Sequence, residues 1–357
     1  SWVFSAYMLA STVTVPLYGK LSDVYGRRPF FVLAIVLFMA GSVVSGLAPS
    51  MAVLIAGRAI QGLGAGGLIP LSMAVIGDLI APRERGKWQG LTGAVFGLSS
   101  VVGPATGGWI ADNASWRWAF FVSLPFGLLA LAVVWIGFTG KTEHRRHSID
   151  YVGAGLLTAS VSAGLLAAVW GGVQYPWASW PIIDLLATSA LTLAAFLWWE
   201  RRAAEPILPL TLFSNRTFAA AQVSLFVVGA GMFGTIMYVP LFVQGALGES
   251  ATNSGAILTP LMLALIAASV VSGQVVSRTG RYRAILLAGP LVMAVGFYLL
   301  SQLGVHSSTA ETTRALIVVG LGVGLGMQTY VLVVQNAVPQ GVLGVATSTT
   351  QFFRTVG

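Results

Sequence analysis

Chemistry needs polar side chains, and this chain of 357 residues has few: 11 acids, 19 lysines and arginines, three histidines and no cysteine. With no cysteine there is no disulfide, thiol nucleophile or thiolate metal site. His144, His147 and His306 are scattered through connecting segments, so no Ser-His-Asp set or metal-ligand cluster is expected. GLGAGG (62–67) sits inside an apolar run, without the preceding strand and the lysine that a phosphate-binding loop needs. Enzyme activity and ATP hydrolysis therefore find no support, and no cofactor is expected. What remains is a small set of charges in unusual places. Arg58 lies within an apolar run, where a cation costs at least about 2.5–3.5 kcal/mol and needs a polar interior and a partner. Asp23, Arg27 and Arg28 crowd the glycine-hinged stretch Gly19–Pro29, and Asp78 closes a later run.

The elements that must position these charges are long and apolar. Hydrophobic residues make up 56% of the chain and charged ones 8%, with mean hydropathy +0.83, against about 25% charged residues in soluble domains. The composition describes a polytopic helical membrane protein. We expect eleven spans and the start of a twelfth, at 2–18, 30–48, 52–80, 88–111, 118–138, 151–171, 181–199, 217–244, 253–277, 284–304, 312–337 and from 343 onward. Their lengths suit helices, not the ~10-residue alternation of barrel strands. With Gly19–Pro29 cytoplasmic, the inside segments hold Lys20, Arg27, Arg28, Arg83, Arg85, Lys87, Lys141, Arg145, Arg146, Arg201, Arg202, Arg216, Arg278, Arg281 and Arg283. Only Arg117 and Arg314 fall outside, so the positive-inside rule fixes the orientation. The net charge of +8 is spread over these short segments, which favours anionic lipid headgroups over nucleic acid.

The chain also echoes itself. GQVVSRTGRYR (273–283) matches GKLSDVYGRRP (19–29) in both glycines and the following arginine, and VGLGVGLGMQ (319–328) matches QGLGAGGLIP (61–70). Both echoes keep the same sidedness, as in transporters whose two parallel halves rock about a midplane site. The expected division is 1–138 for an N-terminal helix bundle, 139–216 for two inserted helices with their cytoplasmic linkers, and 217–357 for a C-terminal bundle. The chain opens and closes inside hydrophobic runs, which reads as a fragment of a longer protein.

These residues resemble the major facilitator superfamily, and within it the fourteen-span drug:proton antiporter group. Gly19, Leu21, Asp23, Gly26, Arg27 and Arg28 match the first signature, with Val24 where a basic residue is common. Arg58, Gln61, Gly62 and Gly64 match the second; Gly103, Pro104, Gly107 and Gly108 match the antiporter signature, with Ser99 at a frequent glycine. The resemblance covers the whole chain. It implies two six-helix bundles with two inserted helices, a proton-coupling role for Arg58, and a coupling aspartate in a first span absent from this sequence.

Physical readings accompany the resemblance. Arg27 pairing with Asp78, while Asp23 faces a helix N-terminus, makes a cytoplasmic latch. Ser99, Gly103 and Gly107 form a smooth stripe loosened by Pro104, suited to a tight helix interface that hinders leak. Gln61, Tyr238, Gln328 and Tyr330 belong to an apolar lining with scattered amides and aromatics, which suits a bulky lipophilic ligand. The expected function is export of lipophilic drugs or toxins in exchange for protons by alternating access. The expected protein is a monomer, multi-pass in the bacterial inner membrane. The alternatives are a narrow exporter of one endogenous metabolite or antibiotic, an uptake carrier for a small polar solute, and a non-transporting sensor or scaffold.

Overall fold

The computed structural model describes residues 2–137, 150–246, 257–304 and 307–357. It is all-helical, with twelve helices among the described residues: α1 Trp2–Tyr25, α2 Arg27–Gly46, α3 Met51–Leu79, α4 Arg85–Asn113, α5 Trp118–Gly137 (briefly interrupted at Val122), α6 Tyr151–Trp170, α7 Trp180–Glu200, α8 Arg216–Gly245, α9 Thr259–Thr279, α10 Arg283–Ser301, α11 Thr309–Ala337 and α12 Leu343–Val356. Each expected span holds one helix. Nine of the twelve are long and apolar enough to cross a membrane. The others are α1, with Lys20 and Asp23 in its last turns, the glycine- and serine-rich α4, and α12, which is 14 residues long. The expected linker charges Lys141, Arg145 and Arg146, together with His144, His147 and His306, lie outside the described residues.

Local chemistry sets the helix ends. Asp150 caps α6 by accepting from the amide of Gly153 at 2.8 Å, and Ser308 with Glu311 closes a reciprocal capping box on α11. Prolines stand in the first turn of α7 and of α9. One expectation changes here. The stretch 19–29 is not a loop: α1 runs on to Tyr25 and α2 restarts at Arg27. The whole reversal rests on Gly26, whose φ of 91° a side chain would disfavour. Gly280, its counterpart in the second echo, likewise turns the chain after α9 with φ 68°.

Two compact units divide the chain. The first comprises Ser1–Val75, Asn113–Asn215 and Pro339–Phe352; the second comprises Ile76–Asp112, Arg216–Val338 and Phe353–Gly357. In the first unit, Gly62 and Gly66 of α3 press on the backbone of α1 at Tyr7 and Ser11, and Gly64 presses on α2 at Ala34 and Phe38. In the second, Gly320 and Gly324 of α11 press on α9 at Leu261 and Leu265, and Gly322 presses on α10 at Met293. The echo in sequence is thus an echo in packing: α1 meets α3 as α9 meets α11. Small residues are what let membrane helices approach this closely.

The second unit has a large apolar core around Leu261, Leu265, Leu316, Val319, Val323 and Met327. In the first, Leu157 and Phe196 of α6 and α7 gather Ile207, Leu208 and Val345 about them. The helices α6 and α7 are further joined by a reciprocal clasp: Ser160 Oγ donates to the carbonyl of Ser189 at 3.0 Å, and Ser189 Oγ to that of Ser160 at 2.9 Å. Leu128, Leu129, Val133 and Ile136 of α5 are exposed, as a lipid-facing row requires.

Candidate functional site

Arg58 is half-buried on α3 and sits at the head of a polar chain through the first unit. Its Nε donates to the carbonyl of Val3 at 3.1 Å, and its Nη1 donates to Oε1 of Gln61 one turn along the same helix. The guanidinium lies 4.1 Å from the ring centre of Tyr7. Gln61 in turn donates to Ser42 Oγ of α2 at 2.7 Å, and Ser42 shares a hydrogen bond of 3.2 Å with Ser123 of α5. The partner required for a buried cation is therefore an amide, a main-chain carbonyl and an aromatic face. Among the described residues Arg58 makes no ion pair with a carboxylate. Such a cation keeps its charge without a fixed counter-charge, with the aromatic face contributing about 0.5–2 kcal/mol.

A second cluster gathers at the end of α1. Asp23 accepts from the amides of Gly344 at 2.9 Å and Val345 at 2.7 Å, the first amides of α12. This is the favoured place for a carboxylate, because the helix dipole and unpaired amides both point at it. Arg27 Nη1 lies 2.6 Å from Asp23 and also donates to Ser22 Oγ. Burial pushes the Asp23 carboxyl up from its ordinary value, against the lowering pull of Arg27 and the two amides. Gly19 is required by packing: a Cβ there would run into Ser348 of α12. Arg28 does other work, donating to the Trp135 carbonyl at 3.0 Å with its charge 4.8 Å from that indole.

The second unit holds a residue that the sequence presented only as a topology charge. Arg85, 5% exposed, donates to the carbonyls of Gly77 (2.5 Å), Ile80 (3.0 Å) and Gln335 (3.4 Å) and to Asn336 Oδ1 (2.9 Å). It thus binds the carbonyl-rich C-terminal ends of α3 and α11, where a cation is favoured. Burial draws the guanidinium down from its ordinary value, opposed by Asp78. Asp78 accordingly belongs to the surroundings of Arg85 within this unit.

The small residues of α4 fall into two sets. Within the second unit its close contacts fall at Gly86, Gly90, Gly93 and Gly97, which pack on Ile266, Ser269 and Gly273 of α9. A Cβ at Gly103, Gly107 or Gly108 would meet nothing within 4 Å, and Ser99 is exposed. The side chain of Pro104 lies outside the described residues. The tight seam comes earlier because the glycines from 86 to 97 follow a helical spacing opposite Ser269 and Gly273, themselves small. That spacing was available in the sequence.

The candidate lining residues separate into two kinds. Gln61 and Tyr330 are buried and committed to helix packing, Tyr330 donating to the Leu286 carbonyl at 3.1 Å. Gln328, 2% exposed, has neither amide atom hydrogen-bonded among the described residues, and Gln222 is in the same condition. Tyr238 is 71% exposed and walls an apolar groove of about 370 Å³ with Thr235, Phe242, Phe297 and Leu300.

A family profile described as Major Facilitator Superfamily matches residues 1–357. The chain belongs to the Major Facilitator Superfamily. That family is one of transporters, not enzymes, and this chain is a multi-pass membrane protein, placed in the inner membrane by its bacterial relatives. The chain is 42% identical over its whole length to the "Multidrug transporter protein MdtP" of Bacillus subtilis, covering 66% of that protein. It is 38% identical to "Multidrug resistance protein 3" of the same organism, covering 70% of it. It is 41% identical to the "Uncharacterized MFS-type transporter Rv1877" of Mycobacterium tuberculosis, covering 52% of it. The chain thus spans about half to two thirds of the length of the curated relatives it matches. Its fold is that of the human organic anion transporter MFSD10 (TM-score 0.70, 20% identity, all of this chain and 75% of that one) and of the proton:xylose symporter XylE (TM-score 0.69, 16% identity, 99% and 75%).

Proposed function

We propose that the protein exports lipophilic drugs or toxic compounds in exchange for protons, as a member of the fourteen-span antiporter group. The observation that carries this reading is Arg58: a cation inside an apolar span, wired through Gln61 to Ser42 and with no carboxylate partner among the described residues. A charge kept there against a cost of about 2.5–3.5 kcal/mol is a functional group, and proton coupling is the work that suits a cation able to bias a nearby acid. The names of the relatives MdtP and Multidrug resistance protein 3 support a drug-like substrate. The amide groups of Gln222 and Gln328, without hydrogen bonds among the described residues, supply them to a ligand otherwise held by apolar contact. In this reading residues 1–138 and 217–357 are the two rocking bundles and 139–216 an inserted helix pair. Asp23, Arg27 and Asp78 latch the cytoplasmic side, and the outer half of α4 seals when its glycines meet a partner helix.

The test uses the complete gene in a pump-deficient bacterium loaded with a fluorescent lipophilic cation. Efflux that stops on addition of a protonophore, and falls at least about tenfold in Arg58→Ala at equal membrane expression, is the expected result. Efflux that survives the protonophore, or an Arg58→Ala protein as active as the parent, overturns proton coupling through this residue.

A further inference from the structure

The cytoplasmic end of α7 carries a carboxyl group that none of the three signatures includes. Glu200 is 4% exposed. Its Oε1 accepts from the amides of Ile207 at 3.1 Å and Leu208 at 3.3 Å, folding the linker after α7 back into a closed loop. Its Oε2 is buried with no hydrogen bond among the described residues. Ile207 and Leu208 are themselves buried, in the apolar cluster that includes Val345 of α12 and is flanked by Leu17 of α1. The loop closed by Glu200 therefore packs on the two helices that Asp23 joins.

Among the described residues, the charged groups facing this carboxyl are few. Asp150, which begins α6, acts on it as a like charge; its Oδ1 accepts from Gly153 and from Trp199 Nε1, each at 2.8 Å, while its Oδ2 is buried and has no hydrogen bond among the described residues. Lys20 of α1 acts on it in the opposite sense, but Lys20 is already paired with Glu205 of the linker at 2.8 Å. Arg201 and Arg202 are exposed on the turn, the latter with its charge 3.9 Å from the Trp198 ring centre. A buried carboxyl with one oxygen unpartnered, beside a second such carboxyl, is held more cheaply as the neutral acid than as the anion.

We propose that Glu200 is a proton-binding site that couples closure of the 201–208 linker to cytoplasmic pH. The closed loop holds a proton on the carboxyl. The open loop places the same carboxyl in water, where a glutamate gives up its proton above about pH 4.3. Closure therefore takes up a proton and opening releases one. The sign follows from linkage: the closed form binds more protons than the open form, so closure weakens as pH rises. A more alkaline cytoplasm frees the linker from α1 and α12, and an acid one fastens it. Asp150 strengthens the effect by opposing a second negative charge.

The experiment follows amide hydrogen exchange in peptides covering 201–215, with the complete protein in lipid nanodiscs between pH 5.5 and 8.5, corrected for intrinsic exchange chemistry. Protection in the parent is expected to fall with rising pH, by up to about tenfold per pH unit for one linked proton. In Glu200→Gln, whose amide oxygen still accepts from Ile207 and Leu208, protection is expected to be independent of pH. In Asp150→Asn, where the amide still caps α6, loss of the like charge is expected to make the fall begin at lower pH. Parent protection that does not change with pH, or a pH dependence that persists in Glu200→Gln, overturns the proposal. If Glu200→Gln does not fold, infrared spectroscopy of the parent decides: a carboxylic-acid carbonyl band must disappear over the range in which protection falls, and its absence refutes the site.

Discussion

Arg58 and Leu316 occupy the same place in the two echoes of the chain, each four residues ahead of a glycine seam, yet their surroundings are opposites. Around Arg58 are Tyr7, Gln61 and Ser42; around Leu316 the matching places hold Leu261, Val319 and Phe297. The backbone is served alike in both, because Gly62 and Gly66 seat α1 as Gly320 and Gly324 seat α9. The second unit closes this region with an apolar core, and Leu316 is fully buried there. The fold thus does not require the polar chain of the first unit. Side chains that the architecture can do without, retained where they are expensive, point to function.

The comparison can be broken most forcefully by moving the charge. Leu316→Arg places a cation in the apolar cluster of Val319, Val323 and Leu261, and a loss of about 3–5 kcal/mol or more is expected, read as absence of monodisperse protein in detergent. The reverse exchange is expected to be milder. Arg58→Leu leaves Gln61 Oε1 without its donor and should destabilise by about 1–3 kcal/mol in thermal unfolding. Adding Gln61→Val, which copies the apolar pair of the second unit, should recover most of that loss, because both partners then leave together. A double variant less stable than Arg58→Leu alone would show the polar chain to be structural. The smallest effects concern α4. Gly90→Ala brings a Cβ to 2.8 Å from the Ser269 carbonyl and should cost about 1–3 kcal/mol, whereas Gly107→Ala meets nothing and should gain up to about 1 kcal/mol from helix propensity. A stability loss at Gly107 equal to that at Gly90 would contradict the placement of the seam.

Spans and the internal repeat were legible in the sequence because each rests on a long-range pattern: apolar run length, and glycines recurring at similar offsets. Arg58 and Gln61 were legible as a pair of polar residues one turn apart in an apolar helix. Their continuation to Ser42 was not, since a serine in an apolar helix carries no sign of which neighbour it meets. Arg85 was hidden for a different reason. An arginine at a cytoplasmic helix start satisfies the positive-inside rule without any contact, so its grip on two helix ends left no trace in composition. Glu200 was hidden likewise, at the head of a linker rich in charge whose return to the apolar cluster depends on main-chain amides, at Ile207 and Leu208, that side-chain patterns do not mark. On α4 the resemblance drew weight to 103–108, while the spacing from Gly86 to Gly97, which carries the contacts with α9, was equally regular and went unread.

The reciprocal serine clasp between α6 and α7 bears on how the chain is made. Each hydroxyl meets the main-chain carbonyl of the other residue, so both find partners inside the hairpin before any other helix is present. A pair that settles its polar groups internally can leave the translocon laterally as one object, its apolar faces already turned to lipid. The two helices then wait in the bilayer as a finished part, and later docking adds the apolar contacts of Leu157 and Phe196 and the ring contact of Trp170 with Trp2. Biogenesis, not transport, is where that clasp has its first use.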